Sequence, residues 1–477
     1  MRGRVPLRTR SGGGRPWFYA LVSVVCAAAL LVGVAEGGAG AWAEQRWGDR
    51  TPQAGGATLA PAARTTIDAP VPAGSGPALP VVTGGGVPAA DRLAAAIDAV
   101  PLDGLTGGRS GVVLDPASGA VLYGRDPDHV VIPASTMKVL TSMAALDLLG
   151  PAHVFTTRAV STGPGSVVLV GGGDPYLSSG KGTADPERAS LADLAADTAA
   201  ALRSAGTTRI TLSWDASLFE GPSRSPDWPA AYADQVTPVS ALTVDQGRLA
   251  GTSPGPRTTT PAADAAGVFA AALADHGIVV TSRSALQGSV PSSAQQLAAV
   301  DSPPLAAIVE DLMVHSDNDA AEIIAHQVGV AAGTGGTFEG GAAGVRQVLQ
   351  SHGLWNEGAV LRDGSGLSRS NRVTPAMLAG AVALATREAR YRAVLTGMPV
   401  AAATGTLTKR FGAPAAQDGR GEVRAKTGTL SATSALAGYT VSHSGAVVVF
   451  SFVVNDASGD DAARAWLDRV ATTVVDS

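Results

Sequence analysis

Two apolar runs near the C-terminus restrict the fold more than any other feature of this sequence. Residues 434–442 and 446–455 carry β-rich patterns, and the turn His443-Ser444-Gly445 lies between them. This arrangement is typical of a β-hairpin. Residues 461–475 follow with the apolar spacing of an amphipathic helix. A hairpin backed by a terminal helix predicts an antiparallel sheet with helices packed on it, which is an α+β architecture.

The sequence upstream has two textures. Residues 111–125 contain a second predicted hairpin, and residues 135–149 have helical spacing without an internal Pro or Gly. Between 155 and 304, short β-rich runs alternate with Pro-containing loops and a helical segment. We therefore expect one discontinuous domain, formed by 89–154 and 305–477, with one or two modules inserted at 155–304.

The N-terminal residues predict export from the cytoplasm. Five arginines and no acidic residue precede a 19-residue apolar run at 17–35. Ala41-Trp42-Ala43 fits a signal-peptidase site, but the apolar run is also long enough to remain as a membrane anchor. Residues 1–43 are thus a signal peptide or a signal anchor, and 44–88, rich in Pro, Gly, Ala and Thr, form a linker. The rest of the chain is expected to act outside the cytoplasmic membrane, in the cell envelope.

The composition excludes several classes of function. A net charge of −5 provides no basic field for a nucleic acid, so we expect no nucleic-acid partner. The single cysteine, Cys26, lies inside the apolar run, so the exported part has no thiol for a disulfide, a nucleophile or a thiolate metal site. The seven histidines lack the H-x-H and HExxH spacings. We therefore expect neither a metal nor a cofactor.

Three short motifs carry the predicted chemistry. They are Ser135–Lys138 (S-x-x-K), Ser316–Asn318 (S-D-N) and Lys426–Gly428 (K-T-G), and they contain two of the four lysines among 35 basic residues. Residues i and i+3 share a helix face, which places the amine of Lys138 beside the hydroxyl of Ser135. A buried lysine that loses its proton can act as the base for an otherwise poor nucleophile.

Each motif also has a simpler interpretation. S-x-x-K is equally typical of a surface pair on a helix, and S-D-N of a helix N-cap before the helical pattern at 320–330. K-T-G is also found where a strand edge meets a glycine turn. The order of the three motifs, on a predicted helix, a loop and a strand, favours the chemical interpretation.

With these motifs the chain resembles a class C low-molecular-mass penicillin-binding protein, the D-alanyl-D-alanine carboxypeptidase/endopeptidase family similar to penicillin-binding protein 4. The resemblance covers about residues 90–475, and the 181-residue gap from Ser135 to Ser316 resembles that family's large insertion. It implies a penicillin-binding transpeptidase/β-lactamase-like domain. Supporting segments occur at 171–177, 228–242, 363–368 and 405–410.

The resemblance implies a serine acyl-transfer mechanism. Ser135 would attack the carbonyl of the penultimate D-Ala and form an acyl-enzyme, with Lys138 as the base. Ser316 would relay a proton to the leaving amine. The backbone N–H groups of Ser135 and Thr429 would form the oxyanion hole. Hydrolysis would then release D-Ala from, or cut cross-links in, peptidoglycan, and β-lactams would inhibit by acylating the same serine.

The same resemblance implies the substrate-binding residues. Asn318 would bind the peptide amide of the substrate, and Lys426 and Thr427 would bind its terminal carboxylate. Gly428 would let the substrate backbone lie against the strand. Asp174, in a Gly-rich turn of the insertion, is predicted to contact a substrate amine, although an Asp before a Pro is equally typical of a turn. The partners implied are stem peptides ending in D-Ala-D-Ala, or cross-linked peptides.

Other functions remain as alternatives. A serine β-lactamase would need a glutamate in an E-x-x-L-N context to activate water, and an esterase could use the same fold. A catalytically silent penicillin-binding scaffold would not need both lysines. A penicillin-binding sensor would need a cytoplasmic output module, whereas 16 residues precede the apolar run. The glutamates between the second and third motifs lack the β-lactamase context; they are Glu322, Glu339, Glu357, Glu388 and Glu422.

Overall fold

The computed structural model describes residues 86–180, 188–288, 290–291 and 293–477. The predicted export segment at 1–43 lies outside the described residues, as does the predicted linker up to residue 85. Within the described ranges, no helix combines the length and the apolar character needed to cross a membrane.

In the part of the chain that the structure describes, the strands form two five-stranded sheets. The first sheet has the order β2-β1-β10-β9-β8 and is antiparallel throughout, so β8 lies at one edge. The second has the order β6-β5-β4-β3-β7. The strands are β1 (Gly108–Leu114), β2 (Val121–Arg125), β3 (Thr156–Gly163), β4 (Ser166–Val170), β5 (Arg209–Asp215), β6 (Val279–Ala285), β7 (Gln295–Asp301), β8 (Arg424–Leu430), β9 (Thr433–Val441) and β10 (Val447–Asn455).

The helices cover both faces of the first sheet and pack against the second. The helices are α1 (Ala90–Asp98), α2 (Met137–Leu149), α3 (Leu191–Ser204), α4 (Pro261–Asp275), α5 (Leu305–His315), α6 (Asn318–Ala331), α7 (Phe338–Ser351), α8 (Pro375–Arg387), α9 (Arg392–Thr396) and α10 (Asp460–Val475).

Alternating side chains of the first sheet pack into two separate hydrophobic cores, one on each face. Val112 and Val449 pack into a core with α2 and α5–α9. Their chain neighbours Val113 and Phe450 point to the opposite face and pack with α1 and α10. This alternation follows from the two-residue period of a strand, and it produces three layers in which the sheet lies between two groups of helices.

The second sheet lies entirely within residues 156–301. β3 pairs antiparallel with β4 and β7. β5 pairs parallel with β4 on one side and with β6 on the other. Its apolar side chains pack with α3 and α4. The sequence between the first two motifs therefore builds a core of its own.

The predicted α+β architecture is confirmed. Residues 433–441 and 447–455 pair as the predicted hairpin, and the terminal helix starts at Asp460. The predicted helix at 135–149 differs at its start. Ala134–Thr136 form a tighter 3₁₀ turn, and the α-helix proper begins at Met137. Ser135 therefore lies in the turn that leads into α2.

Candidate active site

The turn before α2 brings Ser135 close to the lysine of its own motif. The two are three residues apart, and Lys138 Nζ donates a hydrogen bond to Ser135 Oγ at 3.1 Å. Lys138 is 0% exposed, whereas Ser135 is half-buried and lines a cleft. The surface-pair interpretation of the first motif is therefore wrong, because the lysine is in the core.

Two further acceptors fix the amine of Lys138. Its Nζ donates to Asn318 Oδ1 at 2.8 Å and to Ser365 O at 2.7 Å. Burial lowers the pKa of Lys138 to about 8, and nearby carboxylates, Glu322 first among them, oppose that shift. A lysine with this pKa can hold or release a proton near neutral pH, as a general base requires.

The second motif joins α5 to α6. Ser316 ends α5 with a left-handed backbone, at a φ of 58°. Asp317 caps α6 by accepting a hydrogen bond from Ala320 N at 3.0 Å. The N-cap interpretation is thus correct for Asp317, and the flanking Ser316 and Asn318 are left to face the cleft. A left-handed residue next to a helix cap turns the chain sharply, which brings both polar side chains to one side.

The inserted region holds this turn in place. Gln246 Nε2 and Arg248 NH2 each donate a hydrogen bond to Asp317 Oδ2 at 2.8 Å. Asn318 Nδ2 donates to Gln235 O at 3.2 Å. Residues from the region between the first two motifs therefore contribute directly to the geometry of the second.

The third motif lies on β8, the edge strand of the first sheet. Lys426 is 0% exposed, and its Nζ donates to Ser316 Oγ at 2.8 Å and to Thr427 O at 3.0 Å. Thr427 Oγ1 donates to Thr406 Oγ1 at 2.8 Å. Burial holds the pKa of Lys426 well below its usual value, and the charge of Lys138 lowers it further.

Gly428 allows β8 to approach the nucleophile. A Cβ on this residue would lie 2.6 Å from Pro133 O and 3.2 Å from Ala134 Cβ. A larger residue would push the strand away from the turn that carries Ser135. The close packing therefore requires a glycine at position 428, whether or not a substrate lies against the strand.

One cleft of about 930 Å³ connects the three motifs. Both buried lysines lie beneath it, each bonded to a lining serine. The predicted site residues that line it are Ser135, Ser316, Asn318, Thr427 and Thr429.

Asp174 is the predicted site residue that the structure does not bring to this cleft. It is 3% exposed, and its Oδ1 accepts a hydrogen bond from Tyr176 N at 2.8 Å. Burial raises its pKa to about 7. The adjoining Gly172 O accepts a hydrogen bond from Gln327 Nε2 of α6 at 2.7 Å, so the Gly-rich turn packs against that helix. The contacts of Asp174 are those of a turn, and its contact with a substrate amine is still a prediction.

Several residues at the site were not predicted individually. Thr406 and Gln235 line the cleft, and Arg248 holds the second motif from behind. Thr406 and Gln235 belong to the segments 405–410 and 228–242, which the family resemblance had indicated. Arg248 lies outside those segments, and no pattern in its local sequence identifies it.

Comparison with known proteins supports the family suggested by the motifs. The model of the D-Ala-D-Ala carboxypeptidase 3 (S13) family matches residues 93–254 and 250–474. A carboxypeptidase of Mycobacterium tuberculosis is 36% identical over 429 residues, which cover 86% of this chain and 90% of the relative. The D-alanyl-D-alanine carboxypeptidase of an Actinomadura species is 32% identical over 453 residues, covering 76% and 81% of the two chains.

A solved structure shares the fold. Penicillin-binding protein 4 of Haemophilus influenzae superposes with a TM-score of 0.65 at 22% identity, covering 81% of this chain and 98% of that one. The family match includes all three motifs. The resemblance inferred from the sequence is thus confirmed, and the chain belongs to the D-Ala-D-Ala carboxypeptidase 3 (S13) family of serine peptidases.

Proposed function

We propose that this peptidase hydrolyses the bond between the last two D-Ala residues of peptidoglycan stem peptides, and the equivalent bond in cross-linked peptides, through an acyl-enzyme on Ser135. The observation that carries the proposal is the 3.1 Å contact between Ser135 Oγ and the buried Nζ of Lys138. That contact places a hydroxyl nucleophile at hydrogen-bond distance from a base whose pKa burial has lowered.

Acylation begins with proton transfer from Ser135 to Lys138. As Ser135 Oγ bonds to the carbonyl carbon, its proton moves to Lys138 Nζ and the carbonyl oxygen gains the negative charge. The N–H groups of Ser135 and Thr429 stabilise that charge. Asn318 contacts both the base and the substrate site. Its Oδ1 accepts a hydrogen bond from Lys138 Nζ, and its side chain lines the cleft where the substrate amide would lie.

Collapse of the tetrahedral intermediate breaks the C–N bond. Ser316 Oγ, which accepts a hydrogen bond from Lys426 Nζ at 2.8 Å, gives its proton to the leaving amine. It regains a proton from Lys138 Nζ, which returns to the neutral form that it had before acylation. Lys426 and Thr427 bind the terminal carboxylate of the substrate. Water then attacks the acyl ester, releases the shortened peptide and restores the hydroxyl of Ser135.

The test follows a soluble chain that starts near residue 44 during incubation with a penicillin, by intact mass and peptide mapping. We expect a long-lived adduct on the peptide that contains Ser135, and release of D-Ala from a pentapeptide ending in D-Ala-D-Ala. Ser135→Ala should abolish both. Ser204→Ala, at an exposed position of α3, should leave both unchanged and serves as the matched control.

Two results would contradict the proposal. Rapid destruction of the penicillin without a lasting adduct would favour a β-lactamase. An absence of both adduct and turnover in a folded chain would favour a catalytically silent scaffold. A cross-linked dimer of stem peptides, tested beside the pentapeptide, measures the balance between endopeptidase and carboxypeptidase activity.

The proposal extends to the organisation and place of the chain. The family acts on cell-wall peptides, so the enzyme works in the cell envelope outside the cytoplasm. We propose that residues 1–43 direct export or anchor the chain, that 44–88 form a spacer, and that 89–154 with 305–477 form the catalytic domain. The insertion at 155–304 shapes one wall of the cleft, which is supported by the contacts of Gln235 and Arg248.

A further inference from the structure

Glu322 is a buried carboxylate one helical turn beyond Asn318 on α6. It is 0% exposed. Its Oε1 accepts a hydrogen bond from Ser365 N at 2.7 Å, and its Oε2 accepts one from Gly364 N at 3.1 Å. Because residues four apart share a helix face, Glu322 lies on the same face of α6 as the asparagine that contacts Lys138.

The turn that Glu322 binds, residues 363–366, also contacts the helix of the nucleophile. Ser365 O accepts a hydrogen bond from Lys138 Nζ at 2.7 Å. Thr141 Oγ1 of α2 donates to Gly364 O at 2.8 Å. A Cβ on Gly366 would overlap the carbonyl of Ala134, the residue before Ser135. Any movement of this turn would therefore move the groups around the catalytic hydroxyl.

Glu322 differs from the other carboxylates near Lys138 in the strength of its attraction for the lysine and in the groups that it binds. Asp317 and Asp319 are paired with Arg248 at 2.8 and 3.6 Å. Asp363 accepts hydrogen bonds from Trp228 Nε1 and Asn371 Nδ2, and from two backbone N–H groups. Glu322 binds two backbone N–H groups and has the strongest attraction for the charge of Lys138. The charged groups that face Lys138 are Glu322, Asp317 and Asp319 from the start of α6, Asp363 from the turn, and Lys426 from β8.

Burial shifts the pKa values of Glu322 and Lys138 toward each other. Burial and the charge of Asp363 raise the pKa of Glu322, whereas the two backbone N–H groups that donate to it oppose the rise and favour its carboxylate form. Burial lowers the pKa of Lys138 to about 8 against the attraction of Glu322. Because the two groups interact, the proton held by one depends on the charge of the other.

We propose that Glu322 is a positioning residue for acylation, which fixes the Gly364–Ser365 turn against Lys138 and, through its charge, sets the pH above which Lys138 accepts the proton of Ser135. The inference rests on the proposed function, since it assumes that Lys138 is the base. It assigns to a residue outside the three motifs a role in the same step.

The test measures the rate of acylation of Ser135 by a penicillin from acidic to alkaline pH, for the wild type and for Glu322→Gln. Without the negative charge the protonated form of Lys138 is less stable, so the base is available at lower pH. We expect the acidic limb of the profile to move down by about one pH unit. The maximal rate should also fall, because the amide of Gln cannot accept from both N–H groups of the turn.

Two control variants separate charge from structure. Thr141→Val removes another contact to the same turn without a change of charge, and should lower the maximal rate without moving the limb. Glu339→Gln removes an exposed carboxylate on α7 and should change neither. A Glu322→Gln profile that is lower at every pH, with its limb unmoved, would overturn the inference.

Glu322→Asp keeps the test decisive if the Gln variant does not fold. The shorter side chain retains the charge but reaches the turn less well, so the limb should stay in place while the maximal rate falls. An unchanged maximal rate, or a displaced limb, would overturn the inference. Wild-type chain that forms no adduct would instead refute the proposed function, so the two failures are distinguishable.

Discussion

Lys138 and Lys426 are both completely buried beneath the same cleft, but the regions around them differ in charge. Lys138 belongs to α2, and its side chain lies against α6 and the turn at 363–366. Four carboxylates attract its ammonium group there. Lys426 lies on the edge strand β8, and its hydrogen-bond acceptors within the described ranges are a serine hydroxyl and a backbone carbonyl. Nearby carboxylates thus favour the charged form of Lys138, whereas the charge that acts on Lys426 is the positive one of Lys138.

This difference in local charge fits the two separate tasks proposed for the lysines. Burial lowers the pKa of both lysines, but carboxylates offset the effect only at Lys138. Lys138 can therefore exchange a proton near neutral pH, as a base does. A negatively charged ligand beside Lys426 would stabilise its protonated form, and the terminal carboxylate of the proposed substrate carries such a charge. The turn at Ser316–Asn318 contacts both lysines and couples the two regions.

The largest effect is expected at Lys138. Lys138→Met should lower the rate of Ser135 acylation by about 10²- to 10⁴-fold, the usual contribution of a general base. Stopped-flow acylation by a penicillin measures the rate. The thermal midpoint should also fall, since removing one partner leaves the buried carboxylate of Glu322 without its counter-charge. If Lys138→Met and Lys426→Met reduced the acylation rate equally, and also reduced peptide binding equally, the two lysines would not have separate tasks.

The residues of the comparison were predictable from the sequence only in part. The i, i+3 spacing and the order of the motifs identified Ser135, Lys138 and Lys426, because that spacing has one geometric outcome on a helix. The counter-charges were not predictable. Glu322 and Asp363 reach Lys138 only through the packing of α6 and the turn against α2, and no local pattern encodes such contacts.

The same limit applies to the fold. Helix α7 was not predicted, since three glycines interrupt its apolar pattern and glycine disfavours helices. In the structure these glycines allow close packing on α6: a Cβ on Gly341 would lie 2.5 Å from Ala325 O, and one on Gly344 would lie 2.9 Å from Val328 Cγ1. Tertiary packing here outweighs local propensity. By contrast, the hairpin of β9 and β10 follows directly from its apolar runs.

The next effect concerns the ligand of Lys426. Lys426→Met should weaken binding of a D-Ala-D-Ala peptide by about 10- to 150-fold, the equivalent of 1.5–3 kcal/mol for a charge-assisted hydrogen bond. Isothermal titration with the Ser135→Ala background measures the affinity without turnover. A peptide with a C-terminal amide is the control, since it should bind the wild type and the variant equally. A similar loss for both peptides would show that Lys426 does not bind the carboxylate.

The coupling between the two regions depends on Arg248, whose side chain is 22% exposed and holds Asp317 at 2.8 Å. Arg248→Met should reduce the free energy of unfolding by about 1.5–3 kcal/mol, since it removes a hydrogen bond between charged groups and leaves Asp317 less satisfied. Urea denaturation measures the loss. Both acylation rate and peptide affinity should fall together, and a variant that lost only one of them would show that the Ser316–Asn318 turn does not couple the lysines.

The pH dependence of ligand binding distinguishes the lysines further. In the free protein, burial holds the pKa of Lys426 well below its usual value. A bound carboxylate stabilises the protonated form and raises that pKa. Between the two pKa values, binding takes up a proton, so Kd should rise with pH by up to about tenfold per unit. Titrations in buffers of different ionisation enthalpy measure the proton directly. The C-terminal amide should show no uptake, and equal uptake for both ligands would assign the proton to another group.

The smallest expected effect is at Thr406, which accepts a hydrogen bond from Thr427 Oγ1 at 2.8 Å. This bond fixes the rotamer of the Thr427 hydroxyl, which follows Lys426 on β8. Thr406→Val keeps the shape and removes the acceptor, so binding of a D-Ala-D-Ala peptide should weaken by about fivefold, or about 1 kcal/mol. The acidic limb of acylation, which reports Lys138, should not move. A displaced limb would mean that Thr406 also changes the proton affinity of Lys138 across the cleft, and its effect would then not be confined to the site of Lys426.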